Sequence, residues 1–223
     1  QKMSKSRGTF ITAADFKQRF APTYLRYYFA AKLTQETIDI DLNIDDFTQR
    51  VNTDLVNKYV NIASRCSGFL KKFFNNTLTS EQACQEFSNN NNNNSKFEDV
   101  LAGLKDAQHA GEKIGELYDQ RAYSHAMREI MHIADNANQF IDHYKPWAMA
   151  KSEQNKADVQ IICTIAINYF RLMSIYLKPV IPEVITKVEQ FLQVSEFNWD
   201  DHQQLLFEHE VAVFQPLLAR VVS

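Results

Sequence analysis

From Asp45 to Phe74 the apolar residues Phe47, Val51, Leu55, Tyr59, Ile62, Cys66, Phe69 and Phe73 recur at steps of three and four, the spacing of one face of an α-helix. Beside them runs a polar stripe of Arg50, Asp54, Asn57, Asn61, Arg65, Gly68 and Lys72. The pattern predicts one long helix, with Asn43 or Asp45 as its cap. Upstream, residues 13–20 read as a short helix begun by Thr12. Pro22 suits the first turn of a second, over 22–33, dense in aromatics. Ile38-Asp39-Ile40-Asp41-Leu42 alternates apolar and acidic, the period of a half-buried strand. Helical periodicity returns over residues 97–117, over 123–144 up to the stop at Pro146, over the strongly apolar 157–177, and over 183–192. Residues 195–223 read as irregular, with a last short helix near 216–220. Ser88 and the tract Asn89–Asn94 predict a solvated loop near residues 88–95, because asparagine competes with its own backbone for hydrogen bonds.

Five glycines and five prolines are few turn signals for 223 residues. The fold class expected is mainly α: a bundle of about five long helices after a small mixed α/β connecting segment. The division falls between residues 1–43 and 44–223. At 45% hydrophobic residues the chain can bury a sizeable core. There is no run of about 18 apolar residues, so no membrane span is expected. Gln1 to Arg7 is polar and basic, unlike a signal peptide, and the chain reads as a fragment lacking its N-terminal part. Cys66, Cys84 and Cys163 are scattered, which argues against disulfides and zinc and for a reducing, cytoplasmic setting. No metal site is expected. A net charge of −3 excludes a general basic coat for nucleic acid. Any RNA binding must use local contacts, with Lys58, Arg65, Lys71 and Lys72 as the nearest cations.

Three groups of residues carry candidate chemistry. Lys2-Met3-Ser4-Lys5-Ser6, followed by Arg7-Gly8, offers two ammonium groups and two hydroxyls on a short loop. Such a loop can fold over a triphosphate and stabilise charge on departing pyrophosphate, although the string alone equally describes a basic tail. Asn61 and Arg65 lie one helical turn apart, where an amide and a guanidinium can read base edges. Their spacing alone fits an ordinary solvated face as well. Lys145-Pro146-Trp147 follows a predicted helix. Proline ends that helix and sets the chain direction, and the tryptophan is either an outward stacking platform or a buried residue at a junction. Asp142 stands one turn before it. Trp199, among Asn198, Asp200 and Asp201, reads as packing or capping.

The KMSKS string, its continuation Arg7-Gly8-Thr9-Phe10, and downstream Leu25-Arg26-Tyr27-Tyr28, Asp39-Ile40-Asp41-Leu42-Asn43 and Asn57-Lys58-Tyr59-Val60-Asn61 resemble the methionyl-tRNA synthetase family of class I aminoacyl-tRNA synthetases. The similarity spans nearly the whole chain and is weakest over 75–120 and after 195. The resemblance implies a ligase that attaches methionine to its tRNA, initiator and elongator, with ATP and Mg²⁺. By this match the loop Lys2, Met3, Ser4, Lys5 and Ser6 binds ATP, with Lys2 and Lys5 catalytic. It also implies that Asn61, Arg65, Pro146, Trp147 and, more weakly, Asp142 recognise the CAU anticodon. Neither membrane nor DNA is an expected partner. The family's HIGH motif and zinc-bearing insertion have no match here; His109-Ala110-Gly111-Glu112 does not fit the former. Zinc is therefore expected only in a preceding part, and this piece alone is expected to be inactive in adenylation. Two other readings stay open: a non-catalytic helical RNA-binding or protein-interaction module, and another synthetase of the same subclass.

Overall fold

A computed structural model describes residues 13–36, 42–90 and 99–222. Lys2, Met3, Ser4, Lys5 and Ser6 lie outside the described residues, as do residues 38–41 of the expected strand and most of the asparagine tract. Among the described residues ten α-helices follow in order: α1 (Ala13–Arg19), α2 (Pro22–Lys32), α3 (Ile44–Val51), α4 (Asn61–Phe73), α5 (Glu81–Asn90), α6 (Val100–Asp119), α7 (Tyr123–Tyr144), α8 (Pro146–Met149), α9 (Lys156–Leu177) and α10 (Pro182–Leu192). Among the described residues there is no strand, and one antiparallel bridge joins Thr77 to Glu210.

The long helix predicted from the apolar stripe is continuous from α3 to α4, but its middle, Asn52–Val60, has wide i→i+5 turns. Asn43 caps the start, its side chain accepting the Asp46 N–H at 2.9 Å. Two sets of side-chain bonds to distant residues accompany the widening. Asn52 donates to the Val221 carbonyl and accepts its N–H, both at 2.8 Å. Asn138 of α7 reaches the Lys58 carbonyl at 3.1 Å.

Helix α9 is the centre of the bundle, packed by α4, α6, α7 and α10. Residues Glu153–Leu177 are long and apolar enough to cross a membrane by composition, and 94% of the most apolar window is buried inside the protein. Four polar residues of α9, Thr164, Asn168, Arg171 and Ser174, are buried too, and each holds another segment. Asn168 donates to the Leu206 carbonyl at 2.8 Å and accepts the Leu206 N–H at 2.7 Å. Arg171 donates to the carbonyls of Asp201 and Gln204. Thr164 accepts the Thr79 N–H, and Ser174 meets the Tyr59 hydroxyl at 2.6 Å.

Two expectations are corrected. No helix forms at 216–220; residues 204–222 run without helical turns. Their backbone groups are bonded elsewhere: Ala219 exchanges hydrogen bonds with the Tyr24 hydroxyl, Val221 does so with the Asn52 side chain, and Ala212 donates its N–H to the Phe191 carbonyl. The loop expected from residue 88 begins later, because α5 runs through Ser88, Asn89 and Asn90. Ser80 caps α5 by accepting the Ala83 N–H, and Ser88 is buried, accepting the Val100 N–H at 2.9 Å. Trp199 packs as expected, edge-on to Tyr118 and against Tyr176.

Candidate nucleic-acid interface

The α3–α4 rod and α7 lie side by side and run in the same direction. Lys58 pairs with Asp135 at 2.7 Å, Asn61 with Asn138 at 3.5 Å, and Arg65 with Asp142 at 2.5 Å. Each partner stands 77 residues further along the chain, so one register governs the whole ladder. Its period is the three-then-four step of a helix face. The apolar stripe beside it goes into the core: Leu55, Tyr59, Ile62 and Cys66 are fully buried.

Beyond the last rung the chain turns sharply. Proline disfavours the right-handed helical conformation in the residue before it, and Lys145 adopts the left-handed one, with φ 52° and ψ 63°. Helix α7 therefore stops at Tyr144, and Pro146 opens the short α8. Pro146 is buried at the turn. Trp147 then projects outward with 41% of its surface exposed. The Arg65 guanidinium lies 4.7 Å from the centre of its indole ring. Arg65 is thus held between the carboxylate of Asp142 and the face of Trp147, in the stacked and paired geometry that its planar group favours. The left-handed backbone at Lys145 costs about 1–2 kcal/mol. Lys145→Gly is expected to raise stability by about 0.5–1 kcal/mol, read as a higher melting temperature.

The structure brings Asn61, Arg65, Asp142, Pro146 and Trp147 to one end of the α4–α7 seam. Lys58 and Arg65, expected as local cations, are both engaged by carboxylates. Lys71 and Lys72 stay exposed at the end of α4. Sequence reasoning missed Asn138, and also the stacking of Arg65 on Trp147. Asn138 stands at the same offset from Asn61 as Asp142 does from Arg65, a match that becomes visible only once the two helices are seen to pair.

Deeper along the same stripe, burial raises the Asp54 carboxyl above its ordinary value, against the opposing effect of the Tyr27 hydroxyl that donates to it at 2.9 Å. A carboxyl raised on folding binds its proton more tightly in the folded chain. Its charge is a cost at neutral pH, and stability from this group grows as pH falls through the folded value. Asp54→Asn keeps an acceptor for Tyr27. It is expected to stabilise the chain at about pH 7, with the gain shrinking toward about pH 4, as measured by urea unfolding. A groove of about 550 Å³ between α6 and α7, lined by Asp106, His132, Phe140 and Tyr169 among others, shares no residue with the ladder.

Parallel helices joined by a polar ladder thus end in an exposed tryptophan that carries a guanidinium on its ring, and family models set this helical unit among the class I aminoacyl-tRNA synthetases. A family model described as tRNA synthetases class I (M) matches residues 1–67, and one described as the anticodon binding domain of methionyl tRNA ligase matches residues 89–214. The chain belongs to the methionyl-tRNA ligase family. It is 44% identical over 220 residues to the methionine–tRNA ligase of Psychrobacter sp. (strain PRwf-1), matching 99% of this chain and 29% of that protein. The chain thus spans under a third of the length of that curated relative. Two structures of Mycobacterium tuberculosis methionyl-tRNA synthetase share its fold. The apo form has a TM-score of 0.78 at 18% identity, and a complex with methionyl-adenylate has 0.79 at 20%. Each alignment covers 96% of this chain and 41% of the other.

Proposed function

We propose that the protein containing this chain attaches methionine to its initiator and elongator tRNAs in the cytoplasm, using ATP and Mg²⁺, and that this chain reads the CAU anticodon. In this reading residues 1–43 close the catalytic domain and residues 44–223 form the anticodon-binding domain. The observation that carries it is the exposed Trp147, with Arg65 on its ring and Asn61 one turn away. Unstacked loop bases are recognised by an aromatic platform with a few hydrogen-bonding groups beside it, so a net acidic chain can bind them. Trp147 stacks on a base, Asn61 and Arg65 address base edges, and Asp142 orients Arg65. The part of Lys2, Met3, Ser4, Lys5 and Ser6 rests on the motif: Lys2 and Lys5 would neutralise ATP phosphates as pyrophosphate departs. Zinc would belong to another part of the protein.

Tryptophan fluorescence tests the reading. The chain has two tryptophans, and Trp199→Phe leaves Trp147 as the reporter. Titration with a CAU anticodon stem-loop is expected to quench and shift its emission. Unchanged Trp147 emission under conditions where the RNA is demonstrably bound contradicts the stacking role.

A further inference from the structure

Asn138 sits in the middle of the ladder and touches both helices. Its Nδ2 donates to the Lys58 carbonyl at 3.1 Å and to the Ala134 carbonyl, one turn back on its own helix, at 2.9 Å. Those two bonds use both amide hydrogens. Its Oδ1 is left facing the Asn61 side chain, whose Nδ2 donates to it at 3.5 Å. Turning the Asn138 amide over would set its oxygen against two carbonyl oxygens, so the backbones of both helices fix which way it points. Asn61 inherits the choice. With one Nδ2 hydrogen directed to Asn138, its Oδ1 faces the other way, and no described residue donates to it. Asn61 is half-buried, so that oxygen has access to a ligand.

We propose that Asn138 is a positioning residue for base discrimination: it locks the Asn61 amide with the carbonyl oxygen outward, so that Asn61 acts as an acceptor and selects a base edge bearing an amino group over one bearing a carbonyl. The proposal rests on the anticodon reading given above. An acceptor pairs with the N4 amine of cytosine or the N6 amine of adenine and repels O4 of uracil or O6 of guanine. Without Asn138 the Asn61 amide can present either end, and the selection is lost although the stacking platform stays.

The test compares three anticodon stem-loops, CAU, UAU and CGU, in which the second and third each replace an amino group by a carbonyl. The unchanged chain is expected to disfavour at least one of the replacements by about tenfold. Asn138→Ala and Asn138→Ser are expected to reduce that ratio to about threefold or less while binding of the CAU loop persists. Asn61→Ala is expected to erase the ratio, with no further change when Asn138→Ala is added. Asn61→Asp shows an oxygen outward in either orientation. It is expected to restore the preference in the Asn138→Ala background, a rescue that a merely structural Asn138 would not permit. A ratio unaltered in both Asn138 variants, or an equal weakening toward all three RNAs, overturns the positioning role and leaves the anticodon reading standing. Equal binding of the three RNAs by the unchanged chain also overturns it and leaves only the stacking contribution of Trp147. Failure of the unchanged chain to bind any of them overturns both.

Discussion

Trp147→Ala is expected to weaken binding of a CAU anticodon stem-loop by about 5- to 150-fold, the equivalent of the roughly 1–3 kcal/mol that stacking a base on an aromatic ring contributes. The cause is local. Trp147 is 41% exposed, and its position depends on the buried Pro146 and the left-handed Lys145 rather than on burial of the indole itself. Removing it should therefore cost little stability, and the melting temperature is the control. The guanidinium of Arg65 also loses its aromatic partner, while keeping Asp142 at 2.5 Å. Trp147→Phe is expected to recover part of the affinity, since a smaller ring still offers a face. The salt dependence of binding should be shallow for both variants and for the unchanged chain. Few phosphates are neutralised by a chain of net charge −3 in which Lys58 and Arg65, two of the four nearest cations, are already paired and only Lys71 and Lys72 stay exposed.

Asn168→Leu is expected to be among the most destabilising substitutions in the bundle, by about 2–4 kcal/mol, read from the urea midpoint at unchanged slope. Leucine is close to asparagine in size, so the cost does not come from a cavity. It comes from the Leu206 N–H and carbonyl, which Asn168 satisfies at 2.7 and 2.8 Å and which leucine would leave unpaired. Asn168 is fully buried on α9, so water cannot replace it without entering the core. Residues 204–222 form no helix or strand of their own, and after the Gln204 carbonyl, which Arg171 holds, this pair of bonds is the segment's next tie to the central helix. Val211, anchored to the Asn76 carbonyl, and Val221, anchored to Asn52, lie further along the same run. Loosening at Leu206 is expected to appear as faster amide exchange over 204–222 before the helices themselves open.

The helices that were legible in the sequence are those with a dense apolar stripe. Residues 123–144 match α7 at both ends, because Pro146 forbids continuation, and 157–177 falls within one residue of α9. Helix α5 was not legible: its buried positions are Cys84, Phe87 and Ser88, too few and too polar to mark a face. The wide turns over Asn52–Val60 were hidden for another reason. They go with bonds to Val221 and Asn138, distant in sequence, and leave the three-and-four spacing of the apolar residues intact. The absent helix at 216–220 reflects the same tertiary override, since Tyr24 and Asn52 claim the backbone groups that a helix would have paired internally. At the site, spacing placed Asn61 and Arg65 on one face and proline placed Trp147 at a turn. The partners that orient them come from α7, and a pairing between two helices leaves no mark in the periodicity of either. Resemblance to a family supplied the roles; the geometry supplies the reason that these side chains share one end of the seam.

The most direct measurement is the equilibrium affinity of this chain for a CAU anticodon stem-loop against the same stem closed by a loop with the anticodon bases permuted, at one salt concentration. Tighter binding of the CAU loop by at least about tenfold, with the difference largely removed by Trp147→Ala, is the expected result. Equal affinity for the two loops, or a preference that survives Trp147→Ala undiminished, would contradict a reading in which Asn61, Arg65 and Trp147 recognise the anticodon.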